Sequence, residues 1–126
     1  DQWRPNIHVV DVAQAIIDIL ESPLDKVAGE IFNVGSNDLN LTINSIGEKI
    51  KEQLPDAKII KKERDGDKRN YKVDFSKIIN TLKFKTTMRV EDGIKEIIEA
   101  FKSNRIKGDY HADVYSNVQY IKNKIA

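Results

Sequence analysis

The chain has 126 residues, 40% of them hydrophobic and 33% charged, which fits one domain able to bury a core and excludes a disordered tail. Twenty-one Lys and Arg stand against twenty Asp and Glu, so a net charge of +1 provides no field for coating nucleic acid or an anionic membrane. The absence of cysteine excludes disulfides and thiolate chemistry, and no apolar run approaches the roughly 20 residues of a membrane span. A cytoplasmic domain with no membrane partner is the expectation.

In chain order, Ile7 to Val10 is a short apolar run of strand length, with Asp11 placed to cap a following helix. From Val12, the positions Val12, Ala13, Ile16, Ile17 and Leu20 keep helical spacing, and Pro23 ends that helix. Glu30 to Val34 reads as a second strand, closed by Gly35 and a polar loop through Asn40. Thr42 is the expected N-cap of a helix with Ile43, Ile46, Ile50 and Leu54 on one face. Ala57 to Lys62 is a candidate third strand, and Glu63 to Asn70, lacking any aliphatic side chain, is a solvated loop.

Asp74 is placed to cap a short helix carrying Phe75, Ile78, Ile79 and Leu82. A longer helix follows from about Val90, with Ile94, Ile97, Ile98 and Phe101 expected inward, and Glu91 and Asp92 in its first turn, where negative charge suits the helix dipole. Beyond Gly108 the pattern weakens, although Val114, Val118 and Ile121 allow a short terminal helix. The predicted fold is a small mixed α/β arrangement with few short strands and about four to five helices. Residues 1–104 form its body and 105–126 a tail. So few strands make a poor sheet on their own, because each edge needs a neighbour.

No glycine-rich dinucleotide or P-loop fingerprint and no G-x-S-x-G nucleophile motif occurs. His8 and His111 are remote in sequence and lack clustered ligands, so no metal site is expected. Tyr120 and Lys124 match a Tyr-x-x-x-Lys pair, but with no cofactor fold before them the match reads as chance. Arg64-Asp65-Gly66-Asp67 puts a planar cation, a glycine and an acid on one turn. A guanidinium there can take a phosphate through two parallel hydrogen bonds. On chemistry alone a charged surface turn is the favoured explanation, and Arg4 reads as a surface arginine.

Taken together, R-P-x-I-H-V-x-D-x-A (Arg4 to Ala13), I-F-N-V-G (Ile31 to Gly35), R-D-G-D-x-R (Arg64 to Arg69), V-D-F-S-K-I (Val73 to Ile78) and V-E-D-G-I (Val90 to Ile94) resemble the C-terminal part of the extended short-chain dehydrogenase/reductases. The likeness is to the NAD-dependent sugar-nucleotide epimerases and dehydratases, and it runs from about Arg4 to Phe101. It implies that the chain is the last portion of a longer enzyme. A Rossmann domain carrying the NAD(P) loop and the catalytic tyrosine would precede it, making this portion inactive alone, with no catalytic or cofactor-binding residue of its own. It further implies that Arg4 and Arg64 contact the diphosphate of a nucleotide sugar, that Asp67 reaches toward the nucleoside, and that the whole enzyme forms a homodimer.

The chain departs from the family pattern at Lys83, where relatives place a glycine at the helix C-cap, and at Arg89, where they place Ser or Thr. A left-handed Lys83 would cost on the order of 1 kcal/mol. The alternative function is a non-catalytic relative that binds a nucleotide or a protein on the same scaffold. A nucleic-acid module built on Lys58, Lys61, Lys62 and Arg64 is disfavoured by the interleaved Glu63, Asp65 and Asp67.

Overall fold

The computed structural model describes residues 2–61 and 69–125. Its elements begin with a strand β1 (Trp3–Pro5), helix α1 (Val9–Glu21) and the single turn α2 (Leu24–Val27). A short 3-10 turn (Asn37–Leu39), strand β2 (Asn40–Thr42) and helix α3 (Ile43–Gln53) follow, then α4 (Ser76–Leu82), α5 (Val90–Lys102), a second 3-10 turn (Asp113–Tyr115) and α6 (Asn117–Ile125). Contacts group them into two compact units, Asp1–Ile94 and Lys95–Ala126, with the division falling inside α5.

In the first unit, β1 and β2 form an antiparallel ribbon in the register Trp3↔Thr42, Arg4↔Leu41 and Pro5↔Asn40. This corrects the sequence reading, which placed the first strand at Ile7 to Val10 and left Asn40 in a loop. Val9 and Val10 instead open α1. The imidazole Nδ1 of His8 accepts the Val10 N–H at 3.3 Å, so the cap lies three residues before the expected Asp11. Asp11 is drawn inward and fully buried, where its carboxylate serves another purpose. Glu30 to Val34 and residues 57–61 form no ladder, since neither finds a strand beside it among the described residues.

The other helix ends follow their local chemistry. Thr42 caps α3 as expected, its Oγ1 accepting the Ser45 N–H at 3.1 Å. Before α4 the N-cap position is Phe75, not Asp74, yet Asp74 does the hydrogen bonding: its Oδ1 accepts the Ser76 N–H at 2.9 Å and hydroxyl at 2.6 Å. These bonds hold the Asp74 carboxyl below its usual pKa. At the start of α5, Arg89 has no capping oxygen, and the Asp92 carboxylate reaches back to the Arg89 N–H at 2.8 Å. Helix α4 ends on Lys83 at φ 56°, the left-handed conformation that glycine would take at no cost.

The core is small. Ala15, Phe75, Ile78 and Phe84 are buried, with Phe32, Val34, Val73, Ile79 and Leu82 packed around them. Gly35 is required where it stands: a Cβ there would lie 2.6 Å from Cε1 of the Phe75 ring. Helix α1 gives its inner face, Asp11 and Ala15, to this unit and leaves Val9 (73% exposed), Ile16, Ile17 and Leu20 (78%) on an outer apolar stripe.

In the second unit, α5 stops in a Schellman turn, with Asn104 at φ 56°, its N–H on the Phe101 carbonyl at 3.1 Å and the Arg105 N–H on the Ala100 carbonyl at 2.9 Å. The Tyr115 hydroxyl accepts the Lys107 N–H at 3.0 Å, and Phe101 meets Tyr110 edge to face at 6.2 Å. Ile97 and Phe101, expected inward, are half exposed or more, and α6 supplies the terminal helix that the sequence allowed.

Candidate functional site

The ribbon carries the site. Alternation along β1 sends Trp3 and Arg4 to opposite faces, and each meets the extended segment 69–73. The Arg4 guanidinium donates from Nη1 to the Trp3 carbonyl at 2.8 Å and to the Arg69 carbonyl at 2.5 Å, and from Nη2 to Gln2 Oε1 at 3.3 Å. Its Cζ lies 5.5 Å from the centroid of the Tyr71 ring, within cation–π range. On the other face the Lys72 ammonium sits 3.7 Å from the centre of the Trp3 ring, and along the strand edge the main-chain N–H of Trp3 donates to Asn70 Oδ1 at 2.9 Å.

Segment 69–76 is thus fastened by side chains in place of a ladder. Asn40 Nδ2 donates to the Val73 carbonyl and Oδ1 accepts the Val73 N–H, each at 2.9 Å. Asn37 Oδ1 accepts the Phe75 N–H at 3.0 Å, and Asn33 Nδ2 donates to the Asp74 carbonyl at 3.4 Å. A pocket of about 220 Å³ opens beside the ribbon, lined by Pro5, Asn6, Asn33, Val34, Val73 and Phe75. Asn6 is fixed by donating to the Arg4 carbonyl at 2.8 Å and the Leu39 carbonyl at 3.2 Å.

Of the residues singled out from sequence, Arg4 occupies this site. Arg64 and Asp67 lie outside the described residues; they precede Arg69 by five and two positions in the chain. Sequence reading missed Tyr71 and the asparagines Asn6, Asn37, Asn40 and Asn70. A signal existed in the density of asparagine around the two extended segments, but a carboxamide names no partner until the chain is folded.

A second, larger cleft of about 460 Å³ is lined by Ser36, Asp38, Lys49, Thr86, Arg89 and Glu91, among others. Two of its charges, Lys49 and Glu91, are already engaged with each other. Lys49 pairs with Glu91, holding that carboxyl below its usual pKa, and Gln53 Nε2 donates to the Glu91 carbonyl at 2.9 Å. Behind it, Asp11 accepts the Thr87 N–H at 2.9 Å, the Thr87 hydroxyl at 2.8 Å and the Met88 N–H at 3.1 Å. Burial alone would raise the Asp11 pKa, but these bonds and nearby His8 reverse it, and the net direction is down. Among the described residues no three His, Cys, Asp or Glu side chains come together to hold a metal.

No family model matches the chain. It is similar in structure to L-threonine dehydrogenase from Clostridium difficile, with a TM-score of 0.65 and 22% sequence identity over 84% of this chain. The match takes in 35% of the dehydrogenase, so the chain spans about a third of that protein's length. At this identity the likeness is one of fold. The fold class expected from the sequence, a small mixed α/β arrangement with few short strands, is the fold observed, and part of that dehydrogenase shares it. Among the described residues no helix is long and apolar enough to cross a membrane.

Proposed function

We propose that this chain is the substrate-side portion of an NAD(P)-dependent sugar-nucleotide epimerase or dehydratase. In it, Arg4 and Arg64 hold the diphosphate and Asp67 reaches the nucleoside. The observation that supports this most is the meeting of Arg4 with residues 69 and 71 across 65 positions of sequence. The chain leading out of the R-D-G-D-x-R stretch returns to the guanidinium of β1, so one polyanion could engage both. Two cations suit a diphosphate, since a guanidinium fork matches the oxygens of each phosphate. The Arg4 fork can exchange its carbonyl acceptors for phosphate oxygens, which are stronger ones.

The chain has no glycine-rich run to cradle a dinucleotide, so its residues would not hold NAD(P). That cofactor would take a hydride from the sugar while bound to a Rossmann portion of the same protein. The outer stripe of α1 fits such a partner, because an apolar helix face is stabilised when it is covered. The 126-residue chain alone would bind and not catalyse. Anchoring the diphosphate, away from the reacting carbon, is how binding energy orients the sugar.

Trp3, the single tryptophan, is next to Arg4 in the chain and contacts the same segment 69–73, so it provides the assay. ADP, GDP, CDP, UDP and dTDP, and their glucose conjugates, are titrated against its fluorescence. At least one should saturate, and Arg4→Ala and Arg64→Ala should each weaken it about tenfold or more, the loss of a charge-assisted hydrogen bond. If no nucleotide gives a saturable response, or neither arginine matters, the proposal fails.

A further inference from the structure

We infer that Asn40 is a positioning residue for the diphosphate site, an inference that rests on the proposed function. Asn40 lies on β2 opposite Pro5, beside the Leu41 that pairs with Arg4. Its carboxamide holds both main-chain groups of Val73, 33 positions away, in the manner of a strand partner. The same Nδ2 donates to the Asn37 carbonyl at 3.2 Å, so both amide hydrogens face carbonyls and the oxygen faces an N–H. The amide is fixed in one orientation, because a flip would set its oxygen against two carbonyl oxygens.

The consequence lies upstream of Val73. Among the described residues segment 69–73 has no ladder to set its register; besides the clamp, Arg4, Asn70 and two cation–π contacts tie it to the ribbon. Exposed contacts of those kinds permit sliding. A two-bond clamp on a single residue does not, since a shift of one position would present the wrong backbone group to each end of the amide. Of the side-chain ties that set this register, which include the Asn37 bond to the Phe75 N–H, the Asn40 clamp lies nearest to Arg69 and Tyr71 and governs where they meet Arg4. It touches no ligand; it acts through the segment it holds.

Asn40→Asp tests this with little change of shape. At pH 7.5 the carboxylate keeps the acceptor for the Val73 N–H but turns its second oxygen on two carbonyls. The Kd for whichever nucleoside diphosphate binds the wild type best should rise about tenfold. Lowering the pH should narrow the ratio of variant to wild type, because a protonated Asp regains a donor toward the Val73 carbonyl. A residue with only a structural role would lower the urea midpoint and leave the Kd of the folded molecules unchanged.

Should the variant not fold, wild-type amide exchange decides the matter. Saturating nucleotide should slow exchange of the Val73 N–H, since clamp and site are linked reciprocally. A variant Kd within about twofold of wild type, or Val73 exchange indifferent to ligand, overturns the inference alone. If the wild type binds no nucleoside diphosphate, the proposed function and this inference fall together.

Discussion

Replacing Asp11 with Asn should destabilise the chain by about 3–5 kcal/mol, a figure that comes from its three hydrogen bonds. The carboxylate is 1% exposed and accepts from the Thr87 N–H, the Thr87 hydroxyl and the Met88 N–H. Asn can keep an oxygen toward Thr87, but it presents an NH₂ to the Met88 N–H, leaving that donor unsatisfied at a cost of about 1–3 kcal/mol. The two bonds that survive fall from charge-assisted to neutral, a loss of about 1 kcal/mol each. Urea unfolding at pH 7 measures the sum.

The pH dependence supplies the sign. The folded pKa of Asp11 lies below the ordinary 3.8, so its stabilisation is complete above that value and disappears as the pH falls through the folded pKa. The gap between wild type and variant should be flat from about pH 5 to 7 and close in acid, where the wild-type carboxyl is also protonated. A gap under about 0.5 kcal/mol at pH 7, or one that persists unchanged in acid, would refute the assignment of Asp11 as the charged tie between α1 and the 87–88 turn.

Two further substitutions test the backbone. Lys83→Gly should stabilise by about 1 kcal/mol, since Lys83 holds φ 56° without a glycine's freedom; an unchanged urea midpoint would show the strain is absent. Gly35→Ala should cost about 3 kcal/mol, because the new methyl would meet the buried Phe75 ring at 2.6 Å, and a thermal melt equal to wild type would contradict that packing.

The helices were legible because their determinants are local. The apolar spacing from Val12 to Leu20, the Thr42 cap and the acids opening α5 all act within a few residues, and each stands in the structure. The strained end of α4 was indicated by the resemblance, which places glycine where this chain has Lys83. The spacing of apolar residues from Val12 to Phe101 pointed to a small mixed α/β fold, and that fold is found.

What the sequence could not disclose was pairing. The ribbon joins Trp3–Pro5 to Asn40–Thr42, two three-residue pieces too short for any period to show and far apart in the chain. Ile7 to Val10 and Glu30 to Val34 have better strand composition, yet they pair with nothing among the described residues. Asp11 read as a cap from its neighbours and became a buried anchor through residues 76 and 77 positions away. Arg4 read as a surface charge and gained its setting from residues 69 and 71. A helical hydrogen bond closes within four residues and can be inferred from them; a strand register or a side-chain clamp exists only once distant segments have met.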